Sequence, residues 1–228
     1  MTATLIGYAF LGGFLPSCIW LYFILREDAL HPEPKKLIAL AFFAGALAVQ
    51  IVLPLELYAN AHIQDGNSRL LAWSLIEELI KYATAAIFIL WRNAVDEVPD
   101  YVIYMITVAL GFAAAETVLF IVNKSGGNFL LGTVIGNERF LGSALLHVVA
   151  SATIGFALAF SVRSTPFIRM LAAALGLILA VALHTTFNAL MMSSSTSNAL
   201  FLVWMAAVVF LATFEVLKYF QYRTNARI

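Results

Sequence analysis

The 228-residue chain is 62% hydrophobic and 11% charged, with a mean hydropathy of +0.92. A soluble domain carries roughly 45–50% apolar and about 25% charged residues, so this balance excludes an ordinary soluble protein and describes a polytopic membrane protein. The 13 Lys and Arg offset 13 Asp and Glu and lie scattered, which leaves no footprint for nucleic acid.

About twenty mostly apolar residues cross a bilayer. The first such run covers 4–25, and no Lys or Arg precedes its end. It lacks the basic start of a cleavable signal peptide and is expected to be retained. Cys18 lies in it; as the single cysteine it excludes an intrachain disulfide and reads as a small apolar filler. Further runs cover 37–60, 70–91, 101–122, 139–161, 167–191 and 199–220. The stretch "GGNFLLGTVIGN" at 126–137 is too short and glycine-rich to span. It reads as a loop, with an interfacial or re-entrant segment as the alternative. The expected fold is an all-α transmembrane bundle of about seven spans, eight if that segment re-enters. It forms one integral-membrane domain over 1–228, without a repeat at a fixed period.

Loop charge sets the expected orientation. Arg26, Lys35, Lys36, Arg92, Arg163, Arg169, Lys218, Arg223 and Arg227 follow odd-numbered spans, whereas only Arg69, Lys124 and Arg139 fall on the other side. The N-terminus is therefore expected outside and the C-terminus in the cytosol.

The third span, "LLAWSLIEELIKYATAAIFIL", holds Glu77, Glu78 and Lys81. Each charge at the centre of a bilayer helix costs at least about 2.5–3.5 kcal/mol on insertion scales. Counting along spans of alternating direction puts Glu77 and Glu78, Glu116 of span four, His147 of span five and His184 of span six at one level. At 1.5 Å per residue that level is ~9–12 Å below the outer edge. A lone buried histidine usually bonds a backbone carbonyl, and Lys81 could simply neutralise Glu77 at i,i+4. Agreement in depth across four helices offers more groups than one pair can use and favours function.

Glu56, near the outer end of span two, reads as an interfacial carboxylate that could border the site. Glu215 and Lys218 read as a surface pair, and Asp96, Glu97 and Asp100 as a hydrated cytosolic loop. Asn188 lies one turn beyond His184 and could orient it or bind a carbonyl, and Ser151 stands in the same relation to His147.

Carboxylates and imidazoles in one pocket are the parts for activating water, with a glutamate as general base. Two His and one carboxylate also match a His₂Glu zinc set with an open fourth position, leaving another Glu as base. The spacing is not H-E-x-x-H, so a divalent metal such as zinc and metal-free Glu/His catalysis both stand. Nucleophilic catalysis fits poorly, because no Ser sits in G-x-S-x-G and Ser151 with His147 lacks a third partner. Two other classes carry the same groups: a transporter, with an ion site or proton relay, and a non-catalytic membrane scaffold, with a structural polar network.

"EELIK" (Glu77, Glu78, Lys81) resembles the EExxK motif of the PrsW family of bacterial intramembrane proteases. "FAAAE" (Phe112 to Glu116) resembles its FxxxE motif, preceded by the acidic "DEVPDY". The His147 span, with Arg139 eight residues ahead, and the His184 span are similar to its two histidine helices. "REDALHPEPKK" is similar to its proline-containing acidic loop, with His31 in place of the first acidic residue of the core. The resemblance runs from about 22 to 190. The CAAX prenyl and bacteriocin-processing proteases share the plan as EExxxR, FxxxH and HxxxN; "HTTFN" is kept here, but Lys81 and Glu116 replace the arginine and histidine, which favours PrsW. The resemblance implies a multi-pass protease of the bacterial cytoplasmic membrane. It would cleave a single-span protein, such as an anti-sigma factor, on the extracytoplasmic side and so start a stress response. In that reading Glu77 or Glu78 is the base and the other is oriented by Lys81. His147, His184 and Glu116 bind the water or a metal, and Asn188 and Ser151 support them.

Overall fold

The computed structural model describes residues 3–225 apart from 28, 30, 126–128 and 194. The described residues form helices throughout: α1 (Ala3–Glu27), α2 (Lys35–His62), α3 (Gly66–Phe88), α4 (Asp100–Lys124), α5 (Phe129–Glu138), α6 (Leu145–Ser161), α7 (Pro166–Met192) and α8 (Thr196–Asn225). A π-helical segment, Arg139–Ala144, joins α5 to α6. Helical dihedrals at Glu138, Ala144 and Leu145 carry the backbone through both joints. Residues 129–138 were expected as a loop and are instead a helix continuous with the next span, because packing of α5 on α1 and α4 overrides the glycines. Residues 126–128 of that stretch lie outside the described residues.

Six stretches are long and apolar enough to cross a membrane: Ile6–Glu27, Lys35–His62, Asp100–Lys124, Gly136–Ser161, Pro166–Met192 and Thr196–Gln221. The chain is thus a multi-pass membrane protein. The helix α3 is not among them, since Arg69, Glu77, Glu78 and Lys81 dilute its apolarity. Its 23 residues still rise ~34 Å, enough for a hydrocarbon core of ~30 Å.

The bundle is built around α4. Every residue from Asp100 to Ala114 is buried, and α1, α2 and α6 pack on it. Glycines allow the close approach. A Cβ on Gly111 of α4 would lie 1.8 Å from the Phe42 carbonyl oxygen, and one on Gly45 of α2 would lie 2.0 Å from the Val108 carbonyl oxygen. Gly155 of α6 meets the Val102 backbone in the same way, its Cβ position 2.7 Å from Val102 Cα. Small residues at such crossings replace the hydrophobic drive that lipid removes.

The helix α3 is inverted relative to a soluble amphipathic helix. Its buried face is Leu70, Ser74, Glu77, Glu78, Lys81, Thr84 and Ala85, while Leu71, Leu75, Leu79 and Ile87 are exposed. The 3.6-residue period is kept with the signs reversed, as expected where the solvent is lipid. Asp65 starts this helix by accepting the Ser68 N–H at 2.7 Å, an ordinary N-cap.

Two expectations about polar groups change at the far end of the bundle, away from Glu77. Asp100 is fully buried rather than hydrated: one carboxylate oxygen accepts the Asp96 and Glu97 N–H groups, at 3.0 and 2.8 Å. Beside it, Tyr104 donates its hydroxyl to Glu33, and His31 pairs with Glu97 at 3.0 Å, so the segment after α1 is tied to the start of α4. Lys218 pairs with Glu215 at 2.7 Å as expected and also with Glu27 at 2.9 Å, which fastens α8 to α1. Cys18 of α1 is a free, exposed thiol.

Candidate active site

Four helices bring the expected residues into one buried cluster. The i,i+1,i+4 arrangement of Glu77, Glu78 and Lys81 places all three on the inward stripe of α3, where the latter two are fully buried. From α6 come His147 and Ser151, one turn apart; from α7 comes His184; from α4 comes Glu116, whose side chain is 29% exposed and forms the open edge.

Glu78 is the hub. One of its oxygens accepts from Lys81 Nζ at 2.6 Å and from His184 Nδ1 at 2.8 Å, and the other accepts from Ser151 Oγ at 3.2 Å. The Ser151 hydroxyl thus serves Glu78 and not His147, which removes the nucleophile arrangement from consideration. The Lys81 ammonium also reaches His147 Nδ1 at 2.8 Å and stands 3.8 Å from Glu77 and 4.8 Å from the centre of the Phe112 ring. On its other side the His147 ring meets Glu116, Nε2 to Oε2 at 3.0 Å. Glu116 in turn receives Arg139, whose Nε donates to Thr117 Oγ1 at 3.0 Å.

Glu77 differs from its neighbour. Its Oε2 is buried and has no hydrogen-bond partner. Around that oxygen stand His184 Nε2 at 3.9 Å, His147 Nδ1 at 4.0 Å and Lys81 Nζ at 3.8 Å. An unmet acceptor in a dry interior costs about 1–3 kcal/mol, so it marks a place where a further group belongs. Glu77, His147 and His184 each offer one ligand atom within 4.8 Å of the others, a set suited to a divalent metal. The expected set was His147, His184 and Glu116; Glu116 instead meets the opposite nitrogen of His147, and Glu77 is the carboxylate beside both imidazoles. Glu78, bonded to His184 Nδ1, then stands as the carboxylate that orients a ligand histidine. Ligation through His147 Nδ1 would require Lys81 to release that nitrogen and keep its two carboxylate partners.

Glu56 is not only interfacial. It is half-buried on α2, close enough to Glu77, Glu116 and Lys81 to feel their charges, and so borders the site. Asn188 is half-buried one turn beyond His184, and its amide binds neither imidazole. Cavities of about 390 Å³, around Tyr82, Arg169 and Ala173, and about 310 Å³, around Cys18, Ile38 and Phe42, lie away from the cluster.

Fold and site together define a helical membrane protein with a buried carboxylate–imidazole–ammonium centre of the kind that can activate water. The chain belongs to the PrsW family of intramembrane metalloproteases, which it matches over residues 33–213. Among curated proteins it is similar to Protease PrsW of Clostridioides difficile (strain 630), 29% identical over 64% of this chain and 63% of that protein. It is also similar to Protease PrsW of Geobacillus kaustophilus (strain HTA426), 24% identical over 63% and 62%, and of Bacillus subtilis (strain 168), 25% identical over 68% and 67%. The matches span just under two thirds of the first two relatives' own length. No solved structure matches the chain.

Proposed function

We propose that the protein is an intramembrane endopeptidase that hydrolyses a peptide bond of a single-span membrane protein, an anti-sigma factor being one such substrate. In this reading the whole chain is one domain in the bacterial cytoplasmic membrane. The helix α3 is a seventh crossing, with the N-terminus outside, the C-terminus in the cytosol and the cluster nearer the extracytoplasmic surface. The observation that carries the proposal is the unmet Glu77 Oε2 between two ring nitrogens.

A water at that point donates one hydrogen to His184 Nε2 and the other to Glu77 Oε2, which takes it as the proton acceptor, while Lys81 occupies His147 Nδ1. The hydroxide adds to the scissile carbonyl carbon, while Asn188 donates its amide to the oxygen that gains charge. Glu77 then returns the proton to the leaving nitrogen as the C–N bond breaks, which yields a carboxylic acid and an amine. Glu78 stays in place as the anchor of Lys81, His184 and Ser151. Glu116 orients His147. A divalent ion such as zinc fits Glu77, His147 and His184 and would supply carbonyl polarisation and a more acidic bound water.

Cleavage of a reconstituted single-span substrate tests the reading. Glu77→Gln should lower the rate by roughly 10²–10⁴-fold, the usual worth of a positioned proton acceptor. Turnover at the wild-type rate in that variant and in His184→Ala would remove the proposal.

A further inference from the structure

We infer that the two imidazoles of this site are locked in opposite tautomers, His147 carrying its hydrogen on Nε2 and His184 on Nδ1, and that Arg139 is the positioning residue that fixes the first. The inference rests on the hydrolytic reading for its purpose, while its main readout does not require cleavage.

Each ring has a carboxylate on one nitrogen, but not on the same one. His147 presents Nε2 to Glu116 Oε2 at 3.0 Å, and His184 presents Nδ1 to Glu78 Oε1 at 2.8 Å. An ionised carboxylate only accepts, so the hydrogen sits on the nitrogen that faces it. For His147 a second neighbour imposes the same choice. The Lys81 ammonium, 2.8 Å from Nδ1, only donates, and a hydrogen on that nitrogen would point at a cation. The nitrogens left without a hydrogen are His147 Nδ1, which accepts from Lys81, and His184 Nε2, and both lie on the side of Glu77 Oε2, at 4.0 and 3.9 Å. With the rings nearly perpendicular, at 80° and 5.3 Å between centres, the opposite tautomers leave both hydrogen-free nitrogens beside Glu77. Two identical tautomers would leave only one such nitrogen there. A water donor would find the open lone pair of His184 Nε2, and a metal would use His147 Nδ1 as well once Lys81 released it.

The His184 lock is buried and held by Glu78, which already has Lys81 and Ser151. The His147 lock is more exposed, because Glu116 lies at the open edge. Arg139 closes it. Its guanidinium donates to the same Glu116 oxygen that His147 uses, binds Thr117 through Nε and sits 4.6 Å over the Phe120 ring. Three α4 side chains within two turns thus grip one arginine, which fixes the Glu116 rotamer and keeps it an acceptor. Arg139 also opens the π-helical segment, and such insertions alter which way a residue faces relative to the turn that follows.

Heteronuclear NMR of the full chain in nanodiscs, with histidine labelled at both ring nitrogens, reads the tautomers directly. The chain has four histidines, so His31→Gln with His62→Gln leaves the two of interest. The expected spectrum assigns the bound hydrogen to Nε2 in His147 and Nδ1 in His184. Arg139→Gln should convert His147 to a tautomer mixture and leave His184 unchanged. Arg139→Lys should retain most of the wild-type pattern, and the milder Thr117→Val should shift His147 partially in a protein that keeps both ions. In cleavage assays Arg139→Gln should lower kcat roughly 10–100-fold with little change in KM, as for other groups that orient a site histidine. The same tautomer in both rings, or a His147 signal indifferent to Arg139→Gln and Thr117→Val, overturns the inference. Opposite tautomers in a protein that cleaves nothing would overturn the hydrolytic reading and leave this one standing.

Discussion

Lys81 has no exposed surface, yet its ammonium donates to Glu78 and His147 and stands 3.8 Å from Glu77. Removing one member of a buried ion pair leaves the other charge without compensation and costs about 3–5 kcal/mol. Lys81→Met should therefore lower thermal stability in detergent micelles by about that amount, besides stopping cleavage. Adding Glu78→Gln to Lys81→Met should recover part of the loss, since no uncompensated carboxylate then remains at that position. These residues were legible in the sequence because ionisable groups inside apolar spans are costly and few, and counting along antiparallel helices gave their common level. Which glutamate is saturated with donors, and which keeps an open oxygen, was not legible. That depends on the side-chain directions of Lys81 and Ser151, and spacing treats Glu77 and Glu78 alike. Glu56 was undervalued for a related reason: a lone carboxylate near a span end looks interfacial until the tilt of its helix is known.

The helices α2 and α4 meet through two reciprocal glycines, and this crossing sets that tilt. Gly111→Val would force a side chain to within 1.8 Å of the Phe42 carbonyl oxygen, and backbone cannot yield as a flexible side chain does. Separating the helices would cost roughly 1–3 kcal/mol or more and would carry Glu56 away from Glu77. Thermal melts should show a clear loss of stability for Gly111→Val. Gly7→Ala on α1, with nothing within 4 Å of the new methyl, should be neutral or slightly stabilising. At the start of α3, the Ser68 N–H, aided by its hydroxyl and by Arg69, holds the Asp65 carboxylate below the usual aspartate range. A lowered value in the folded state means the cap contributes above the unfolded-state value of about 3.9 and fades as pH falls through the folded one. Amide exchange in the first turn of α3 should rise across that acidic window in the wild type and stay high and flat in Asp65→Ala. The α5 helix was the element hidden from the sequence. Gly132 and Gly136 suggested a loop, and only contact with α1 and α4 makes a helix the better solution there.

Across the whole molecule the charged groups divide between two ends. The site cluster holds one end, and Glu33, Asp100, Tyr104 and the Glu27–Lys218–Glu215 group hold the other. The proposed orientation puts the first toward the outside, with α3 as a crossing helix between exposed Asn67 and exposed Asn93. Replacing Cys18, the single native cysteine, with Ser allows one cysteine at a time to be introduced at those positions. A membrane-impermeant maleimide applied to intact cells should label Asn67→Cys and spare Asn93→Cys until the cells are opened. Labelling of both from one side would place α3 entirely on that side of the bilayer.

The reversed polarity of α3 also bears on how the protein is made. A segment that exposes leucines and hides Glu77, Glu78 and Lys81 is poorly matched to lipid on one of its faces at the moment of synthesis. It cannot partition sideways alone as the apolar α2 can, because its carboxylates meet their imidazole partners only when α6 and α7 have been translated. If α3 crosses the membrane as proposed, its Glu78 waits for a partner 106 residues further along the chain. In the proposed reading the centre is complete only once His184 has arrived, and a chain halted before α7 would leave Glu78 without that partner.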